Sequence, residues 1–188
     1  MKIQMESLLN GKTIEVNFDE QIVFSHLAQD ESAVWSLLVA GGYLKVEDVD
    51  AMNYCMNKIT LATFSYFDVG SEGAGNQEPE RFYHGFVLGL LSDLREQYQI
   101  RSNRESGYGR YDIMLVPEEK NDNAIVMEFK VHEPDEETSL QDTVQSALKQ
   151  IQEKNYDAEL LAQDIPTDRI RHYGFAFEGK KVLIGTDA

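Results

Sequence analysis

At 188 residues, 42% hydrophobic and 27% charged, the chain is long enough for one core of ordinary size, or for one domain with an appendage, and reads as soluble and globular. Its 17 Lys and Arg against 33 Asp and Glu leave a formal charge of -16. That balance argues against tight, non-specific binding of nucleic acid by the whole surface, but it leaves room for a local site where a divalent cation supplies the positive charge. No run approaches the roughly 18 apolar residues of a membrane span, the first residues lack the apolar core of a signal peptide, and the lone Cys55 excludes an internal disulfide and a Cys-based zinc site. The expected location is the cytoplasm.

Residues 1–75 carry 4 of the 17 basic and 11 of the 33 acidic residues. Residues 8–12 fit a short helix closed by Gly11, Thr13-Ile14-Glu15-Val16-Asn17-Phe18 alternates as a short strand, and residues 31–40 read as a helix ending at Gly41-Gly42. Trp35 is expected in the core of this segment and Cys55 as a small buried residue. Ile59-Thr60-Leu61-Ala62-Thr63-Phe64 has strand character, though its periodicity is ambiguous. Residues 68–79 hold three glycines and a proline and read as a linker. The expected organisation is a small, mostly helical region over 1–75 and a second domain over 76–188.

Beyond the linker the pattern is cleaner. Pro79 suits the first turn of an amphipathic helix over 79–98, striped by Phe82, Phe86, Leu90 and Leu94. Residues 99–104, 111–116 and 124–131 read as strands. Gly107 and Gly109 serve the first turn, and a polar loop forms the second. Ser139 is placed to cap a helix over 140–154, whose stripe is Val144, Ala147, Leu148 and Ile151. Residues 169–177 and 181–185 close the chain as two strands around Glu178-Gly179-Lys180. The order αβββαββ places the fold in the α/β class.

Three charges sit inside these apolar strands: Asp112 on the second, Glu128 and Lys130 on the third. Side chains alternate along a strand, so Glu128 and Lys130 share one face while Met127, Phe129 and Val131 take the other. Such charges are costly unless paired, hydrated or metal-bound, which marks the place as a candidate site.

The helix, three-stranded meander, helix and strand, with Asp on the second strand and Glu-x-Lys on the third, resemble the PD-(D/E)XK nuclease superfamily. Phe82-Tyr83-His84-Gly85, Ser102-Asn103-Arg104-Glu105-Ser106-Gly107-x-Gly109-Arg110-Tyr111-Asp112, Glu128-Phe129-Lys130 and Ala147-Leu148-Lys149-Gln150-Ile151 look like one group within it. That group is the nuclease-like domain found C-terminal to an AAA-ATPase-like domain in bacterial proteins. The resemblance covers about residues 78–186. It implies a restriction-endonuclease-like core, with a mixed central sheet flanked by helices, and metal-dependent hydrolysis of phosphodiester bonds in nucleic acid. It also implies an AAA-ATPase-like domain upstream on a parent chain. Two departures are visible: no Gly-x-x-x-x-Gly-Lys-Ser/Thr loop is present, and Tyr111 stands where the superfamily's pattern has proline.

The residue chemistry agrees with this reading. Asp112 and Glu128 on adjacent strands can converge on one Mg²⁺ or Mn²⁺, with the Phe129 carbonyl as a further ligand. Lys130 is placed to orient a water or stabilise developing charge; with two carboxylates beside it, positioning is favoured over general-base action. Glu80 and His84 lie one turn apart on the first helix. By the resemblance His84 and Gln150 serve the site, with Tyr156 as a possible assistant to Gln150. Arg104, Arg110 and Ser102 flank the turn before Asp112 and can meet phosphate, DNA being favoured over RNA. Bound nucleic acid calls for a positive groove made by Arg101, Arg104, Arg110, Lys130 and Lys149. The alternative is a catalytically silent nuclease fold that binds or regulates an ATPase partner, motivated by the net charge of -16.

Overall fold

The computed structural model describes residues 49–65, 77–119 and 122–187. The elements expected before residue 49, with Trp35, lie outside the described residues, as does most of the 68–79 linker.

Five strands form one sheet in the order β1-β2-β3-β4-β5: β1 Tyr98–Ser106, β2 Gly109–Pro117, β3 Ala124–Val131, β4 Ile170–Glu178 and β5 Lys181–Thr186. Only the β3–β4 pair is parallel. The crossover between them carries α3 (Leu140–Glu153) and α4 (Ala158–Leu161), as a parallel connection requires. Two further helices, α1 (Val49–Thr63) and α2 (Gln77–Leu90), precede the sheet. This is a mixed five-stranded sheet flanked by helices, with a helical region before it: a restriction-endonuclease-like α/β core.

The apolar runs explain the layering. Ile113, Met114 and Leu115 are all fully buried, because β2 is covered on both faces. Ile113, Leu115, Met127, Phe129 and Phe177 pack with Met56 of α1 and with Tyr83 and Val87 of α2. Met114, Val126 and Ala176 pack on the other face with Val144, Leu148 and Ile151 of α3. The expected stripe of α3 is therefore the observed one, and Ser139 caps the helix by accepting from the Asp142 amide. Gly174 and Gly185, cross-strand partners on β4 and β5, let α3 settle on the sheet. A Cβ on Gly174 would lie 2.8 Å from the Val144 carbonyl oxygen, and one on Gly185 2.6 Å from Val144 Cγ1.

Three local readings change. The helix expected over 79–98 starts at Gln77, tightens to a 3₁₀ helix over Leu91–Glu96 and gives way to β1 at Tyr98. Its buried axis runs through Tyr83 and Val87, whereas Leu90 is exposed; the Tyr83 ring stacks on Phe177 at 4.1 Å and its hydroxyl donates to the Gly179 carbonyl. Cys55 is exposed rather than buried. Residues 59–63 are helical, not a strand.

The last difference has a tertiary cause. Asn53 and Asn57, one turn apart on α1, each clasp a residue on the outer edge of β5. Asn53 Nδ2 donates to the Ile184 carbonyl (2.8 Å) while its Oδ1 accepts from the Ile184 amide (2.6 Å). Asn57 repeats this with Val182 at 2.7 and 3.1 Å, and Thr60 Oγ1 donates to the Lys180 carbonyl at 2.7 Å. The i, i+4 rise of a helix, about 6 Å, matches the two-residue repeat of a strand edge, about 6.6 Å. Side-chain amides thus take the place of a sixth strand and cover the edge. Helix α1 belongs to the same compact unit as the sheet, Val49–Ala188.

Candidate active site at the fork of the central strands

The β2–β3 ladder holds from Leu115↔Ile125 to Ile113↔Met127 and then ends, while β2 continues alongside β1. Asp112 is the first residue of β2 past the last pair. Its Oδ2 accepts a hydrogen bond from the Phe129 amide at 2.8 Å, so a carboxylate takes up the donor that a longer ladder would have given to backbone. A residue's carbonyl leaves a strand on the same edge as its amide, so the Phe129 carbonyl also faces the fork.

Glu128 and Lys130 lie on the α3 face of β3, as alternation requires. Lys130 Nζ donates to Gln150 Oε1 at 2.8 Å. The Gln150 amide nitrogen donates to Glu128 Oε1 and, at 3.2 Å, to the Tyr156 hydroxyl, which itself donates to the Arg110 carbonyl at 2.9 Å. One glutamine therefore sets the spacing between the ammonium and the carboxylate. Tyr156 is both packed and connected: it is 1% exposed, and burial raises its phenol above the ordinary value.

Helix α2 closes the other side. Nε2 of His84 lies 3.3 Å from the Asp112 carbonyl oxygen and 3.0 Å from Ser102 Oγ. The Ser102 hydroxyl is thus engaged with His84. Asn103, next to it, holds a left-handed backbone (φ 52°) in mid-strand, and its amide nitrogen is 3.3 Å from the same ring nitrogen. A left-handed non-glycine residue costs on the order of 1 kcal/mol or more and recurs where function over-determines the backbone.

The electrostatics point one way. Glu128 is 4% exposed and its carboxyl is held well above the ordinary range, first by burial and then by Asp112. Asp112 is also raised by burial, against the Phe129 amide and the positive groups around it. Burial and Asp112 raise Glu80 as well. Glu128 Oε2 has no hydrogen-bond partner, the one such buried side-chain atom among the described residues. An orphaned buried carboxylate oxygen beside a second, half-buried carboxylate marks a place short of positive charge. Two carboxylates and a backbone carbonyl are hard oxygen donors of the kind that hold Mg²⁺ with waters completing its shell. The residues fit a divalent ion. Among the described residues, no group of three or more His, Cys, Asp and Glu side chains is gathered.

The surrounding cations differ from expectation. Arg101 is engaged by Glu159 and Gln99, and Lys149 pairs with Glu153 in solvent, so neither is free to build a positive groove. Arg104 is exposed and has no partner among the described residues, but does not line the cleft. Arg110 does, in a cavity of about 480 Å³ bordered by Glu80, Arg81, His84, Asn103 and Asp112. Arg81 and Asn103 are additions that sequence reasoning missed. Arg81 lies three residues before His84, hence on the same helical face, and that spacing was the available signal. Asn103 gave none, since its role depends on its backbone.

The fold and the fork define a nuclease-type α/β domain. The chain belongs to the PD-(D/E)XK nuclease superfamily, whose family model matches residues 78–187, more than half of its length. Members of that superfamily generally use divalent metal ions and act on nucleic acid. No curated protein and no solved structure matches the chain. Among the described residues no helix is long and apolar enough to cross a membrane.

Proposed function

We propose that the domain is a divalent-metal-dependent phosphodiesterase acting on nucleic acid, DNA in preference to RNA. The observation that carries this reading is the buried Glu128 carboxylate, one oxygen unpartnered, beside Asp112 and tied through Gln150 to Lys130. Asp112, Glu128 and the Phe129 carbonyl would hold Mg²⁺ or Mn²⁺. The ion would polarise the phosphate and ease deprotonation of an attacking water. Lys130 would orient that water and offset charge developing on the phosphate, with Gln150 fixing its position. His84 and Ser102 brace the Asp112 strand from the α2 side. Arg110, with Arg81 beside it and Arg104 further out, would receive the flanking phosphates. The proposal extends to an AAA-ATPase-like domain upstream on a parent chain and to a cytoplasmic setting, on the resemblance of residues 82–85 and 102–112.

The test is cleavage of DNA and of RNA by the purified chain with Mg²⁺ or Mn²⁺. Lys130→Ala is expected to lower the rate by about 10²-fold or more, as loss of a positioned transition-state donor does. Equal activity in the parent, Asp112→Ala and Lys130→Ala proteins would sink the mechanism. The silent-module reading predicts no heat of Mg²⁺ or Mn²⁺ binding in a calorimetric titration that Asp112→Ala removes.

A further inference from the structure

The hairpin between β1 and β2 is tied to the end of α3, and it presents one residue. Tyr108 is 82% exposed, and its ring makes no hydrogen bond or ring contact among the described residues. Its backbone, by contrast, is held on every side. The Tyr108 amide donates to the Lys154 carbonyl at 2.7 Å. Gly107, left-handed at φ 57°, lies so close to the end of α3 that a Cβ would sit 2.2 Å from the Asn155 oxygen and 2.3 Å from the Lys154 oxygen. Ser106 Oγ donates to the Tyr156 carbonyl at 2.7 Å and accepts from the Glu159 amide at 3.1 Å. A single exposed aromatic is common on protein surfaces. One on a turn tied down by backbone hydrogen bonds and close packing is a preorganised contact, because binding to it costs less ordering.

Its position gives the contact a use. Tyr108 is the turn residue just before β2 and stands two residues before Arg110, which lines the same cleft as Asp112. The charges around the site are divided. On one side Lys130 opens into a smaller cavity lined by Glu80, Glu133, Glu136 and Glu137. On the other side Arg81 and Arg110, neither in an ion pair among the described residues, border the larger cavity and offset Glu80, which lines both cavities, and Asp112, in a chain with 33 acids to 17 bases. A polyanion is repelled more strongly from the first opening, where four glutamates face Lys130, than from the second, where Arg110 stands two residues from Tyr108.

We infer that Tyr108 is a stacking platform for an unpaired nucleobase, so that the substrate is a single-stranded or locally opened nucleic acid rather than an intact duplex. Every base has a face that an exposed tyrosine can stack on, and such contacts need no sequence readout. In a duplex those faces are already stacked. The inference rests on the nuclease reading of the same cleft and specifies the kind of strand that enters it.

The experiment measures binding, not turnover. The full chain is titrated, with Ca²⁺ in place of Mg²⁺, into a fluorescein-labelled single-stranded DNA and into the same strand as a duplex, with anisotropy as the readout. The parent is expected to prefer the single strand. Tyr108→Ala is expected to weaken single-strand binding roughly 5- to 100-fold while Tyr108→Phe keeps it, and Arg110→Ala is expected to weaken both DNAs. The inference is overturned if Tyr108→Ala binds the single strand like the parent, if Tyr108→Phe is as weak as Tyr108→Ala, or if the parent prefers the duplex. Each of these outcomes leaves the nuclease reading standing. Failure of the parent to bind either DNA overturns both.

Discussion

Glu128→Gln should make the metal-free protein more stable while removing its function. Glu128 is 4% exposed, and burial together with Asp112 pushes its carboxyl up to about 9 from an ordinary 4.5. The sign follows from proton linkage. Between those two pH values the folded chain holds a proton that the unfolded chain has released, so stability is fully present below pH 4.5 and is lost as pH rises towards 9. The slope is about 1.4 kcal/mol per pH unit, which gives about 3 kcal/mol at pH 7; proton sharing with Asp112 reduces this to about 2 kcal/mol. Glutamine is neutral at every pH and keeps an oxygen for the Gln150 amide. Urea melts at pH 7 in EDTA should therefore show Glu128→Gln about 2 kcal/mol more stable, a midpoint shift of about 1 M. The difference should vanish near pH 4.5. Mg²⁺ at ten times its dissociation constant should restore about 1.4 kcal/mol to the parent and nothing to the variant. A variant no more stable than the parent at pH 7, or a difference that does not change with pH, refutes the reasoning.

Two further outcomes follow from contacts outside the site. Asn53→Ala removes both hydrogen bonds to Ile184 and should cost about 1–3 kcal/mol; with Asn57→Ala it should also bare the β5 edge and produce concentration-dependent association in light scattering. An unchanged melt and a monodisperse double variant would show that α1 does not guard the edge. His172 lies between Asp157 (2.9 Å) and Asp187 (2.7 Å). Burial alone would lower its pKa, but the two hydrogen-bonded carboxylates outweigh burial and raise it to about 9. A raised histidine stabilises below its ordinary value of 6.5 and loses that contribution as pH rises to about 9. In the Glu128→Gln background, where the larger titration is absent, His172→Gln should abolish a fall of about 3 kcal/mol across that window, reduced to about 2 kcal/mol by solvent screening of the partly exposed ring; persistence of the fall would assign it elsewhere.

Much of this protein is written locally. The unbroken apolar runs of β2 and β3 announce interior strands, because a strand covered on both faces has no polar side to show. Ser139 and the Val144, Ala147, Leu148 and Ile151 spacing mark α3 from cap to buried face. Asp112, Glu128 and Lys130 stand out for the same reason, as charges with no local excuse in those runs, and strand alternation alone places Glu128 and Lys130 together. Other features depend on what the fold brings near. Ile59 and Thr60 favour a strand by β-branching, yet they are helical because Asn53, Asn57 and Thr60 must meet the edge of β5, more than a hundred residues away. Arg101 looks like a phosphate ligand until Glu159 neutralises it, and Arg81 looks like a solvated helix residue until α2 lies beside Asp112. Sequence by itself determined the elements and which residues carry the chemistry, because propensity, periodicity and burial cost act within a few residues. Only the tertiary structure decided the splaying of β2 from β3, the unpartnered oxygen of Glu128 and the choice of free cations. These depend on distances and desolvation between segments that are remote along the chain.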